Sequence, residues 1–196
     1  MTTSDPPDSH ADQPPAGLER PLDVVDACHE RVRRMSEMLI RLSEHLDEHG
    51  VDDRAAVSAQ SILDCFTGIW VHHLRDEELD LWPRLRQRLQ GRRSAEARRV
   101  LSAIATLTAQ HRVLQGGWKQ IEPSLQAVLQ RTSMRLNGAA VHAFVAGYRA
   151  HLDLEEDVLA PAYRQLLTTE DVEQVGLGMA RRRAAKPPSG SGSGPR

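Results

Sequence analysis

The chain has 196 residues, which suits one ordinary domain with tails and is long enough to bury a hydrophobic core. Hydrophobic residues make up 40% and charged residues 27% of the chain, values typical of globular proteins that exclude a wholly disordered chain. The formal net charge of −2 offers no global field for a nucleic acid, and two cysteines are too few for a disulfide scaffold or a thiolate zinc site.

The two ends are predicted to be disordered tails around one domain over residues 19–183. Residues 1–18 are rich in Pro, Asp, Ser and Gly and contain no apolar stretch typical of a signal peptide. Residues 184–196 read AAKPPSGSGSGPR and have the same character. No apolar run reaches the roughly 18 residues that a bilayer span needs. We therefore expect no membrane association and a cytoplasmic location.

The domain is predicted to be all-α, because apolar residues recur at spacings of three and four without strand alternation. We expect Pro83 to kink the second helix or end its regular part, and Pro123 to disturb the third. Short loops make sequential helices antiparallel, which predicts an up-down-up-down four-helix bundle with a short C-terminal fifth helix. The predicted helices cover about 21–48, 52–90, 94–131 and 135–167, with the fifth opening at a Thr168–Asp171 capping box.

Each long helix carries one histidine within its apolar stripe. In an antiparallel hairpin, residues equidistant from the turn lie side by side, because both helices rise about 1.5 Å per residue. The midpoints between successive histidines are residues 51, 92 and 131, and each falls on a predicted turn. We therefore expect the four side chains to lie at one level, facing the bundle axis. These residues are His29, His73, His111 and His151.

Two glutamates, Glu77 and Glu155, are predicted to join this layer. Each follows a histidine by four residues, His73 and His151 respectively, and so shares its helix face. Unpaired carboxylates in an apolar core are costly, and a coordinated cation is the usual remedy. Nitrogen and oxygen donors without sulfur suit iron, manganese or zinc. Six donors fit two carboxylate-bridged metals better than one tetrahedral zinc, which favours a di-iron or di-manganese centre.

The two carboxylate helices are related by an internal duplication. From His73 the chain reads HLRDEELDLWPRLRQRL, and from His151 it reads HLDLEEDVLAPAYRQLL. The His, two consecutive Glu, a Pro ten residues after the His and an Arg-Gln pair recur in both segments. Each half of the domain is thus a hairpin with the pattern His … His-x-x-x-Glu, and two facing copies are needed to build one site.

This pattern resembles the hemerythrin-like family, whose domain is called HHE after its His-His-Glu cation-binding motif, and the resemblance covers about residues 21–167. It implies a centre of two non-haem iron ions, with manganese or zinc less favoured. Family members bind O₂, nitric oxide or peroxide as sensors or carriers, take part in iron homeostasis, or have enzyme-like activity. The resemblance makes His29, His73, His111 and His151 terminal iron ligands and Glu77 and Glu155 bridging ligands.

The chain departs from the O₂-carrying hemerythrins at Gln115, where those proteins have a second histidine four residues after the third-helix one. A neutral amide is a poor iron ligand, so one iron has an open position or takes a ligand from elsewhere. Reactivity with O₂ or peroxide is therefore favoured over reversible carriage. We expect a small oxidant to be bound for sensing, storage or detoxification. The alternatives are a di-iron oxidase, peroxidase or oxygenase acting on an organic substrate, and an iron-sensing module whose fifth helix docks a protein partner.

Helix direction predicts two different sides of the site. Glu77 and Glu155 lie toward the Gly91 turn and form a carboxylate floor. Tyr148 is a candidate hydrogen-bond donor or redox residue, and Glu78 and Glu156 are candidates to orient ligand histidines. On the opposite side we expect a pocket for a small ligand, lined by aromatic residues and loosened by glycines. Its residues are Phe66, Trp70, Gln115, Trp118, Phe144 and Tyr148, with Gly68, Gly116, Gly117 and Gly147.

Overall fold

The computed structural model describes residues 18–133 and 135–184, which contain five helices and no strand. The all-α prediction is confirmed, and the fifth helix is longer than predicted. Most of the predicted tails lie outside the described residues, although Leu18 is buried in the core and Ala184 ends the last helix. The helices are α1 (Pro21–His49), α2 (Asp53–Asp64, Cys65–Ile69, Trp70–Asp76, Glu77–Leu81 and Trp82–Leu89 in one continuous rod), α3 (Ala95–Leu129), α4 (Gly138–Leu154, Glu155–Leu159 and Ala160–Leu166) and α5 (Thr169–Ala184).

Side-chain caps explain where four of these helices begin. Asp52, Ser94 and Asn137 each accept a hydrogen bond from the backbone N–H three residues on, at 2.7, 3.1 and 3.2 Å. At α5 the predicted capping box is present. Thr168 N–H donates to the Asp171 carboxylate at 2.9 Å, and Asp171 N–H donates to the Thr168 hydroxyl at 3.2 Å.

The three turns used to predict the histidine level have backbone geometry that ends a helix. Gly50 and Gly91 have φ of 74° and 77°, the left-handed region that glycine adopts without strain. Arg131 has φ of 59° at the third turn. Because the loops are short, α1 to α4 run up, down, up and down. Helices α1 and α3 each pack against α2 and α4, and α5 packs against α1 and the middle of α2.

Two apolar cores fill the bundle, one toward each end. The Gly50-end core includes Leu39, Ile62, Phe66, Leu125 and Tyr148, all buried. The Gly91-end core includes Leu81, Trp82, Ile104, Leu159 and Tyr163, also buried. None of the helices within the described ranges is both long and apolar enough to cross a membrane.

Three π-helical turns interrupt the α-helical geometry, over Cys65–Ile69, Glu77–Leu81 and Glu155–Leu159. The last two come just before Pro83 and Pro161. Proline lacks an N–H, and its ring crowds the carbonyl four residues earlier, which in both cases lies inside the π-turn. The wider turn relieves this conflict, and α2 continues beyond Pro83 to its end. Pro123, by contrast, lies inside an uninterrupted α3.

Candidate metal centre

A layer of six buried polar side chains separates the two apolar cores. Every one of the six is at most 3% exposed. They come from α1, from the two π-turn regions of α2 and α4, and from the middle of α3, so all four helices of the bundle contribute. The structure brings together the six residues that the sequence singled out, namely His29, His73, Glu77, His111, His151 and Glu155.

Each glutamate lies between histidines of different helices. Glu77 Oε1 is 3.1 Å from His73 Nε2, and its Oε2 is 3.2 Å from His111 Nε2. Glu155 Oε2 is 3.3 Å from His29 Nε2 and 3.8 Å from His151 Nε2. Both carboxylates therefore contact histidines of two helices, Glu77 through its two oxygens and Glu155 through Oε2 alone.

The donor atoms form two groups, in each of which the atoms lie within 4.8 Å of one another. One group contains one atom each from His29, His73, Glu77 and Glu155. The other contains one atom each from Glu77, His111 and His151. Glu77 belongs to both groups, so it is the residue best placed to connect them.

Seven atoms of this layer are buried and make no hydrogen bond of regular geometry, although five His–Glu pairs among them lie 3.1–4.0 Å apart. They are the Nε2 atoms of all four histidines, both oxygens of Glu77 and Oε2 of Glu155. Buried polar groups are almost always paired, and leaving one unpaired costs roughly 1–3 kcal/mol. Seven unpaired donors converging on one layer therefore fit metal ions bound between them.

The outer ring nitrogens of three histidines are held by side chains outside the layer. Nδ1 of His111 pairs with Glu78 at 2.7 Å, and Nδ1 of His29 pairs with Glu156 at 3.2 Å. Nδ1 of His151 pairs with the amide oxygen of Gln110 at 3.2 Å. An Nδ1–H donated outward leaves the lone pair of Nε2 directed inward, which is the form that binds a metal.

Sequence reasoning found two of these partners and missed the third. Glu78 and Glu156 were visible because they recur in the duplication, and Arg33 holds Glu156 at 2.5 Å. Gln110 is a neutral residue without a counterpart in the motif. The sequence marks Gln110 only by its position immediately before His111, and this position alone does not identify it as a partner of His151.

A buried aromatic pair supports the remaining oxygen of Glu155 and was also missed. Trp82 Nε1–H donates to the hydroxyl of Tyr163 at 3.0 Å, and that hydroxyl donates to Glu155 Oε1 at 3.4 Å. The indole of Trp82 also stacks on the ring of His111, with centroids 4.9 Å apart. The pair thus connects one carboxylate and one histidine from the Gly91 side.

The electrostatics of the layer favour the neutral imidazole at His73 and His151, in contrast to His29. Burial lowers the pKa of His73 far below its usual value and that of His151 to about 4. Burial acts against protonation of His29 too, but Glu155 and Glu77 outweigh it and raise its pKa to about 10. Burial and the charge of Glu155 raise the pKa of Glu77. Without added positive charge, two carboxylates this close are therefore not both easily ionised.

The aromatic side of the layer is closed rather than open. The five aromatic rings predicted there pack against one another with centroid distances of 5.0–6.2 Å. A cavity of about 440 Å³ lies farther out between α2 and α3 and is lined in part by Trp70, Trp118, Glu78 and Gln115. None of the six layer residues borders it. Gln115 is exposed there and is turned away from the layer.

The glycines predicted to loosen this side have other roles. A Cβ on Gly117 would lie 3.1 Å from Phe144, and one on Gly147 would lie 3.3 Å from Leu114, so both allow α3 and α4 to approach closely. A Cβ on Gly116 would meet no atom within 4 Å. These three glycines therefore do not form the pocket that the sequence predicted on this side of the layer.

Fold and site together define a four-helix bundle whose central His/Glu layer could hold metal ions. The family model of the hemerythrin HHE cation binding domain matches residues 20–166, and the chain belongs to this family. The chain is also 26% identical over 171 residues to an uncharacterized protein of Haemophilus influenzae. That similarity covers 87% of this chain and 94% of the relative.

Proposed function

We propose that the layer binds two iron ions. The observation that supports this proposal is the set of seven buried, unpaired nitrogen and oxygen atoms that converge from four helices. In this assignment the histidines at 29, 73, 111 and 151 are terminal ligands, and Glu77 and Glu155 bridge the ions. The two donor groups correspond to the two ions: Glu77 belongs to both groups, and Glu155 belongs to one and reaches toward the other through Oε2, which is 3.8 Å from His151 Nε2.

The donor set supports iron or manganese over zinc, and the hemerythrin HHE family match favours iron between the two. Imidazole and carboxylate donors suit iron, manganese and zinc, whereas a tetrahedral zinc site needs only four ligands. No thiol of the described chain belongs to either donor group. Burial raises the pKa of the nearby Cys28 thiol well above its usual range, which keeps it protonated. Manganese is the second choice and zinc the third.

We assign to this centre the binding of O₂, nitric oxide or peroxide, for sensing, storage or detoxification in the cytoplasm. Bound iron supplies redox chemistry and affinity for small oxidants. The chain contributes the rest, because the two apolar cores exclude water and Glu78, Glu156 and Gln110 orient the ring nitrogens. The side of His111 and His151 offers fewer donors than the other side, so the small ligand is assigned to that side.

The test is anaerobic loading with ferrous iron, followed by a metal count per chain and absorption spectra before and after admission of air. We expect two irons per chain and new charge-transfer absorption on oxidation. His73→Ala should lose metal, whereas His142→Ala, which removes an exposed histidine of α4, should not. A spectrum restored by removing the gas supports carriage or sensing, and an irreversible change supports redox chemistry. No stoichiometric metal in the wild-type protein would contradict the proposal.

A second candidate is an oxidase, peroxidase or oxygenase that acts on an organic substrate. The observation in its favour is a groove of about 600 Å³ that is bordered by His73 and is much larger than a diatomic molecule. Consumption of O₂ or peroxide that depends on an added organic substrate would favour this function over simple binding.

A third candidate is an iron-sensing module with a protein partner. Asp76, which directly precedes Glu77, is held by Arg182 and Arg183 of α5 at 2.8 and 2.7 Å. Glu77 is therefore adjacent in sequence to the residue whose ion pairs hold α5 against α2. Hydrogen exchange in α5 that increases when iron is removed would favour this function.

A further inference from the structure

A groove lies between α1, α2 and α5. It has a volume of about 600 Å³, within the range of pockets that hold small organic ligands. Its floor is formed by the buried residues Val25, Cys28 and His73, and its rim carries the guanidinium groups of Arg31 and Arg34. The groove thus combines an apolar floor with a cationic rim.

The charge of the groove is positive. Its one carboxylate, Asp76, is already neutralised by ion pairs with Arg182 and Arg183. Within the part of the chain that the structure describes, neither Arg31 nor Arg34 has a carboxylate within 4 Å. Both are exposed and lie three residues apart on the same face of α1, where Arg31 also lies beside the thiol of Cys65.

The walls of the groove are apolar and are kept open by a glycine. Val24, Ala27 and Ile69 line it beside the floor residues. Gly68 lies in the π-turn Cys65–Ile69, and a Cβ placed on it would meet no atom within 4 Å. A side chain at Gly68 would therefore occupy space that belongs to the groove.

We propose that this groove binds an amphipathic organic anion, a carboxylate with an unbranched aliphatic chain. The head group pairs with Arg31 and Arg34 at the rim, and the chain lies on the floor against Val25 and Cys28. A small inorganic anion would leave the apolar walls uncovered, and a nucleic acid would need more cations than this rim provides. The proposed contacts to the anion involve no metal ion, although His73 of the layer forms part of the groove's floor.

The chain-length dependence of binding tests the apolar part of the proposal. Calorimetric titration of the full-length protein with butanoate, hexanoate, octanoate and decanoate should give affinities that rise by up to about fourfold per methylene, as expected for burial of each group. Octanol should bind more weakly than octanoate, and octylamine more weakly still. The octanoate affinity should fall as salt is added, because the arginines are exposed. Equal affinity for octanoate and octylamine, or for butanoate and decanoate, would overturn the proposal.

Two pairs of variants test the location. Gly68→Leu should abolish octanoate binding, while Gly116→Leu, at another helical glycine with open space, should leave it unchanged. Arg31→Gln with Arg34→Gln should weaken binding at least fivefold, whereas Arg86→Gln with Arg112→Gln removes the same charge elsewhere and should not. Wild-type affinity in the Arg31/Arg34 double variant would overturn the site even if Gly68→Leu fails to fold.

Two further measurements separate this site from its rivals. Octanoate should bind with the same affinity in metal-loaded protein and in protein treated with a chelator, so failure of the iron proposal leaves this result intact. An acidic peptide such as hexaglutamate should bind more weakly than octanoate. Tighter binding of the peptide would assign the arginines to a protein partner and overturn the proposal.

Discussion

The carboxylate of Glu78 offers a direct test of how the layer is held. It accepts a hydrogen bond from His111 Nδ1 at 2.7 Å, while Nε2 of the same ring faces the layer. Glu78 therefore fixes the ring orientation and raises the basicity of the inward nitrogen without being a ligand itself. Loss of such an outer partner typically lowers metal affinity by about 10–100-fold.

The magnitude depends on what replaces the carboxylate. Glu78→Gln keeps an oxygen acceptor but removes the charge, so we expect the lower end, about a tenfold loss, or roughly 1.4 kcal/mol. Glu78→Ala removes the acceptor as well and should approach a hundredfold loss. The side chain is 42% exposed, and half-exposed pairs contribute at most about 1 kcal/mol to folding. Metal affinity should therefore fall while the stability of the metal-free protein changes little.

The assay is anaerobic competition with a chromophoric chelator, which measures metal affinity, combined with thermal unfolding of the metal-free variants. Glu122→Gln is the matched control, because it removes a negative charge from the wall of the same outer cavity without touching a histidine. An affinity of Glu78→Ala within twofold of the wild type would refute the reasoning. An equal loss in the Glu122 control would assign the effect to charge alone.

Three further predictions concern the layer and the attachment of α5. Glu77→Gln should raise the unfolding temperature of the metal-free protein at neutral pH and reduce metal binding. Burial raises the pKa of Glu77, so the stability of the fold with a protonated Glu77 is lost as the pH rises through that pKa. Calorimetry with and without metal tests this, and a lower metal-free unfolding temperature would contradict it. Metal affinity should rise as the pH is raised toward about 10, because the proton that Glu155 holds on buried His29 must leave before Nε2 can bind a metal ion. A metal affinity that stays constant between about pH 6 and 9 would count against this. Gly178→Ala should destabilise the protein by about 1–3 kcal/mol, because the new Cβ would lie 2.6 Å from the Asp80 carboxylate. Gly116→Ala should instead stabilise it by up to about 1 kcal/mol, and equal effects of the two variants in chemical denaturation would refute the packing argument.

The bundle and the histidine level were predictable because both follow from local signals. Capping residues such as Asp52 and Ser94 mark helix starts, and Gly50 and Gly91 mark ends, so the helix boundaries came within a few residues. The constant rise of an α-helix then converts sequence distance from a turn into height along the bundle. Short loops keep that conversion valid across all three hairpins.

The π-turns and the groove could not be predicted in the same way. Pro83 and Pro161 signalled a disturbance, but whether a helix breaks, kinks or widens depends on the packing around it. The π-turn at Cys65–Ile69 has no proline to mark it. The groove requires α5 to lie across α1 and α2, a tertiary arrangement fixed by the ion pairs of Arg182 and Arg183 with Asp76.

The internal duplication explains why the pair of Trp82 and Tyr163 was not predicted. Aligning the two copies draws attention to shared positions, whereas Trp82 and Tyr163 occupy places where the copies differ. Trp82 corresponds to Ala160, and Tyr163 corresponds to Leu85. The two aromatic residues meet only after the copies face each other, so one hydrogen-bonded pair is assembled from unlike positions of two like hairpins.

This asymmetry makes the two halves of the layer chemically different. Glu77 has both oxygens free to face the layer, whereas Glu155 has one oxygen held by Tyr163. The outer nitrogen of His29 pairs with a carboxylate, whereas that of His151 pairs with the neutral amide of Gln110, which makes the inward nitrogen of His151 the less basic of the two. The donor group of four, which contains His29, should therefore hold an ion more tightly than the group of three, which contains His151. In the proposed centre, a duplicated hairpin would thus give one stronger and one weaker metal position, a division of roles that two identical halves could not provide.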